Sequence, residues 1–194
     1  MKKSEVYNNI RYNENLVNQY QNSINRFKNQ INYLNSQINQ VNSNIGQLNN
    51  RKNQLNSQIN ELNQLKRKYQ NLQNTFGQRQ TLRISKLNRN FSKNLNVKFI
   101  KSYINGMSSL LSGNDYKRAY NGLSSSINII FNKIKSIQRE VDSIENDINS
   151  KNRSIDSKRQ EINNCQSQIN NLNNNLAYRK QRIKYWKNQL RYAI

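Results

Sequence analysis

The chain has 194 residues and a net charge of +22, from 32 Lys and Arg against 10 Asp and Glu. Only 34% of it is hydrophobic, Pro and His are absent, and there is a single Cys. These figures exclude a large rounded core, His-dependent acid–base or metal chemistry, a zinc site built on Cys and an intrachain disulfide framework.

Asn is the most abundant residue, about one in five, and it is a mediocre helix former. A seven-residue apolar period nevertheless runs through both ends of the chain and outweighs that propensity, and the missing Pro removes the commonest interruption. From Val6 the apolar positions recur in steps of four and three: Ile10, Val17, Tyr20, Ile24, Phe27, Ile31, Leu34, Ile38 and onward to Leu55, Ile59 and Leu62, with Asn13 and Lys52 as breaks. After Leu62 the next apolar residue, Leu65, comes three positions on, and Tyr69, Leu72 and Phe76 follow it. That spacing predicts a stammer, a local overwinding of a coiled coil. Gly77 is the expected helix end, which bounds a first coiled-coil helix over 1–76.

The middle, 77–113, reads as a small basic helical head. Leu82, Leu87, Phe91 and Leu95 suggest an amphipathic helix that carries Arg83, Lys86, Arg89 and Lys93 on its other faces. Phe99, Ile100, Tyr103, Ile104, Met107, Leu110 and Leu111 form a denser apolar patch, wide enough for two neighbours, and Phe99, Tyr103 and Met107 are the expected packing residues of the head. Asn105-Gly106 and Gly113-Asn114 are turn candidates, and Asp115 suits the start of the next helix.

From Leu123 to Ala193 the steps of four and three recur for ten heptads, broken only by Lys151, Lys158 and Arg179. A helix over 114–194 carries this seam, and the seam alone would span roughly 105 Å at 1.5 Å per residue. A narrow stripe of that length needs a partner helix. Similar arm lengths and a short connection favour an all-α, antiparallel coiled-coil hairpin within one chain, with the head between its arms. If Val6 lies near Ala193, Trp186 faces Asn13 and Lys52 comes beside Asp147. The single thiol, Cys165, falls on the seam and reads as a buried residue; a cross-link between parallel copies is the alternative.

No enzyme chemistry is expected, and no cofactor. Carboxylates such as Asp142, Glu145 and Asp147 sit among Lys and Arg on an exposed helix, as surface ion pairs do. No run of 18 apolar residues exists, and Met1-Lys2-Lys3 leads into polar Ser4 and Glu5 rather than an apolar signal segment. Between Glu61 and Asp115 the chain has ten cations and no acid. Such charge attracts nucleic acid, anionic lipid or an acidic protein, or it keeps the surface solvated. The aromatic residues of the head follow its apolar stripe, which weighs against base stacking there and towards a protein partner.

Leu111-Ser112-Gly113 stands just before the second long helix, and Tyr116, Ala119 and Tyr120 follow it. This arrangement resembles the W-x-G turn of WXG100 proteins, the small helical hairpins of type VII secretion, with Leu111 at the Trp position. It is similar, too, to the long-armed YwqH-like helical partners of LXG toxins. The resemblance implies a non-enzymatic partner or targeting protein that bundles with a toxin's helical domain, together with a second small helical protein. Leu111, Gly113, Tyr116 and Tyr120 would set the turn, and Ile127, Ile134, Ile148, Ile169 and Trp186 would face the partner. It also implies a cytoplasmic chain before export, secreted or envelope-associated through a type VII route. No acid follows Glu161 where some members carry an acidic export motif, which leaves the role of a partner that travels with, or delivers, a toxin. A coiled-coil scaffold or adaptor of another kind, and a basic nucleic-acid-binding protein, are the alternative functions.

Overall fold

The computed structural model describes residues 2–91 and 98–192, and of these only Lys2 and Gly113 lie outside helix. The helices are α1 (Lys3–Phe91), α2 (Lys98–Ser112) and α3 (Asn114–Gln189), and a 3-10 turn over Leu190–Tyr192 closes the last. The fold is all-α: α1 and α3 are the antiparallel arms of a helical hairpin, and no described helix is long and apolar enough to cross a membrane. The chain divides into two units, one of Met1–Leu48 with Asn146–Ile194, the other of Asn49–Glu145.

Both arms follow the heptad count. Every seam position from Val6 to Leu62, breaks included, and every one from Leu123 to Leu190 is buried or half-buried. In the first unit, Ile24, Ile169 and Leu176 form a cluster that Tyr20, Phe27, Ile31 and Leu172 surround. Cys165 is buried in the same seam. Three of the polar breaks, Asn13, Lys158 and Arg179, have partners across the arms, which spares them the cost of burial without one. Asn13, only 3% exposed, accepts a bond from Arg179 Nη1 at 3.3 Å, and Lys158 Nζ donates to Gln37 Oε1 at 2.7 Å. Arg179 thus occupies Asn13 one heptad before Trp186, the residue that the sequence register names. Ala193, the other end of that register, lies outside the described residues.

In the second unit the seam is Leu55 from α1 with Ile130, Ile137, Val141 and Ile144 from α3. Arg51 pairs with Glu140 at 2.9 Å, and Lys52 pairs with Glu145 at 3.2 Å, where the sequence register names Asp147. The expected stammer is absent. Leu65 and Leu72 are 40% and 56% exposed, while Lys66, Tyr69, Gln73, Phe76 and Gln80 continue the alternating count half-buried. Polar residues keep the old frame because they find partners within it: Lys66 Nζ lies 4.8 Å from the Phe131 ring centre, and Gln73 donates to Ser124 Oγ.

Nor does α1 end at Gly77. It continues to Phe91, and a Cβ at Gly77 would meet only Tyr120 Cε2 at 3.8 Å and the Tyr116 hydroxyl at 3.9 Å, ordinary contacts that no helix end requires. Asn105-Gly106 is likewise no turn but the middle of α2. Gly113 is the bend between α2 and α3, as expected, and Asp115 lies in the first turn of α3.

Candidate binding surface

The turn is assembled from the helix ends upward. Ser112 Oγ donates back to the Ser108 carbonyl at 2.7 Å and closes α2. The Gly113 carbonyl then accepts from the Lys117 amide at 3.1 Å, the first bond of α3, so Gly113 stands at the cap position. A side chain there is not tolerated, because a Cβ would overlap the Ser109 carbonyl oxygen. Asp115 adds negative charge at the helix start, where exposed amides favour it.

Two contacts hold this turn against α1. Gln80 Nε2 donates to the Leu111 carbonyl at 3.1 Å. The Phe76 and Tyr116 rings stack with centres 4.9 Å apart and planes 10° apart, and Tyr116 in turn stacks on Tyr120 at 5.9 Å. The structure therefore brings the four expected turn residues, Leu111, Gly113, Tyr116 and Tyr120, to one place. It adds Phe76, whose signal was its seam spacing, and Gln80, which carried none.

The head packs differently from expectation. On α2, Ile100, Ile104, Met107 and Leu111 are half-buried at steps of four, three and four. Of the expected packing residues only Met107 belongs to that face. Phe99 is 76% exposed, Leu110 is 66% exposed and Tyr103 is half out, and these three share another face at helical spacing. Beside it, a cleft of about 410 Å³ is lined by Phe76, Arg79, Arg83, Leu110, Leu111 and Tyr116, with Asp115 as its one acid. Arg83, Lys86 and Arg89 are exposed, and they lie on α1. Lys93 and Leu95 lie outside the described residues, as does the side chain of Phe91.

The seam residues expected to face a partner instead face the other arm of the same chain. Ile169 is 4% exposed in the cluster with Ile24, and Ile127, Ile134, Ile148 and Trp186 are half-buried along the same stripe. A hairpin that buries its own seam leaves those side chains little area to offer. No protein-family model, characterised protein or solved structure matches the chain.

Proposed function

We propose that the chain is a non-enzymatic helical binding protein, and that the exposed face of α2 is where a protein partner bundles with it. One observation carries the reading: α2 is apolar on two faces, and among the described residues it is the face of Ile100, Ile104, Met107 and Leu111 that is half-buried. Phe99 and Leu110 remain at 76% and 66% exposure, with Lys98 and Lys101 on the same helix and Arg79 and Arg83 at the cleft beside them. The charge selects the occupant. With no acid between Glu61 and Asp115, an amphipathic helix with acidic flanks fits, its apolar stripe on Phe99 and Leu110. The resemblance at Leu111–Gly113 supplies a candidate of that kind, the helical domain of a type VII-secreted LXG toxin.

The test is co-expression with an LXG-type helical domain encoded beside this chain. A one-to-one complex on gel filtration is expected, retained at 500 mM NaCl because apolar burial at about 25 cal/mol per Å² is its main term. Phe99→Asp with Leu110→Asp should abolish it while helicity by circular dichroism is unchanged. Arg83→Gln with Lys86→Gln should slow association more than it speeds dissociation. A complex that survives the double Asp change would place the partner elsewhere and end this reading of α2.

A further inference from the structure

In the unit formed by Met1–Leu48 and Asn146–Ile194, the last turns of α3 carry a second pattern. Tyr178 and Tyr185 are seven residues apart, so they share one face of α3 about 10.5 Å apart, and Tyr192 follows seven residues on in the closing 3-10 turn. They are 53%, 47% and 81% exposed, and Tyr12 of α1 is 57% exposed. Arginines interleave with these rings. The Arg179 guanidinium lies 5.3 Å from the Tyr178 ring centre and 5.9 Å from that of Tyr12. The Arg182 guanidinium lies 5.1 Å from Tyr185 and 5.3 Å from Trp186, and those two rings meet edge-on at 5.1 Å.

Acid is scarce here. None follows Glu161 in the sequence, and the facing stretch of α1 has only Glu5 and Glu14, of which Glu14 is taken by Lys187 at 3.3 Å. Arg179, Lys180, Arg182, Lys184 and Arg191 thus crowd one end of the arm, where Glu5 is the one other carboxylate among the described residues of the facing stretch. Folding does not require exposed tyrosines at these outer positions, since the seam beside them is already filled by Leu176, Ile183 and Trp186.

We infer that this arginine–tyrosine face is a binding site for single-stranded nucleic acid, with the cations along the phosphates and the tyrosine rings stacking on bases. Rings repeated along a line suit a linear polymer that has a flat group on every unit. Cations alone would suit any polyanion, and rings alone any apolar surface; the interleaving selects a ligand that has both charge and bases. The site lies outside α2 and does not depend on the partner proposed there.

Trp186 is the only Trp in the chain and touches the cluster, so its fluorescence reports this site. Titrating the full-length protein with a twenty-residue oligothymidylate at 50 mM NaCl should quench Trp186. The affinity should fall about 100-fold by 200 mM, the loss for about five phosphate contacts on a single strand. Tyr178→Leu with Tyr185→Leu, at unchanged charge, should weaken binding of a fluorescein-labelled oligothymidylate by about fivefold or more, read by anisotropy. Phe at both positions should restore it. Inorganic polyphosphate of the same length should bind more weakly and leave Trp186 unquenched. Equal binding of polyphosphate or polyglutamate, or Leu variants that bind as well as the parent, would reduce the site to general attraction by charge and overturn the inference, as would no binding at all.

Discussion

At Gly113 one methyl group decides whether α2 can turn into α3. Gly113→Ala would drive its Cβ into the Ser109 carbonyl, an overlap that only backbone movement relieves, at about 1–3 kcal/mol. Gly46 and Gly122 lie in helix interiors with nothing within 4 Å of the added carbon. Ala there removes backbone freedom from the unfolded chain and should stabilise by about 0.5–1 kcal/mol at each site. Gly77→Ala belongs with the second group, since it adds ordinary contacts with Tyr116 and Tyr120. Thermal melts of the four single variants should show one lowered midpoint and three raised ones. A lowered midpoint for Gly77→Ala would restore that position as a helix end. Gly77 and Gly106, which continue a helix, carry the same marks of a helix end or turn in the sequence as Gly113, which ends one. What separates them is the carbonyl of Ser109, which a sequence does not display.

Among the elements, the choice between a stammer and an unbroken frame depends on which residues pay the cost of leaving water. Leu65 and Leu72 look like seam residues because they are apolar, yet they are 40% and 56% exposed. Leu65→Asn with Leu72→Asn should therefore change stability by about 0.5 kcal/mol or less per site. Leu62→Asn, one position inside the frame and half-buried, should cost several times more, because it puts an amide into the seam without a partner. Ile24→Ala, at 2% exposure within its cluster, should cost about 2–5 kcal/mol. Urea melts of these variants measure the register directly: equal losses at Leu62 and Leu72 would bring back the stammer. The helices, their antiparallel pairing and the turn at Gly113 were legible because period and breaker chemistry are local. The continuation through Lys66 and Gln73 was not, since a ring beneath an ammonium and a serine beneath an amide are contacts from the opposite arm. The same limit applied to the binding surface. Apolar spacing marked α2 but could not say which of its two faces the fold would bury, so Phe99 and Tyr103 were assigned to packing and Leu110 to the same apolar patch.

At the scale of the whole molecule, pairing within one chain and a charge of +22 each make a prediction. Glu14 and Lys187 are 3.3 Å apart across the arms, so Glu14→Cys with Lys187→Cys, in a chain with Cys165→Ser, should be joined by a short bis-maleimide within a monomer. Cross-linked dimers as the exclusive product would mean that the arms pair between chains. The charge should make stability depend on salt in the direction opposite to that for a protein held by ion pairs. The inter-arm pairs Arg51–Glu140, Lys52–Glu145 and Lys187–Glu14 are all partly exposed, and such pairs contribute about 0–1 kcal/mol each, which salt weakens. Against them stands the repulsion of 32 cations offset by only 10 acids, dispersed along both arms and screened beyond about 10 Å at 0.1 M salt. Folding brings the two arms' cations together, whereas the unfolded chain spreads them, so self-repulsion opposes the native state. Relief of many repulsions outweighs the loss of weak attractions such as these. The melting midpoint should rise as NaCl goes from 20 to 300 mM, and KF should do the same, because screening depends on ionic strength rather than on the identity of the anion. A midpoint that falls with salt would mean that the few ion pairs, and not the seam, hold the arms together.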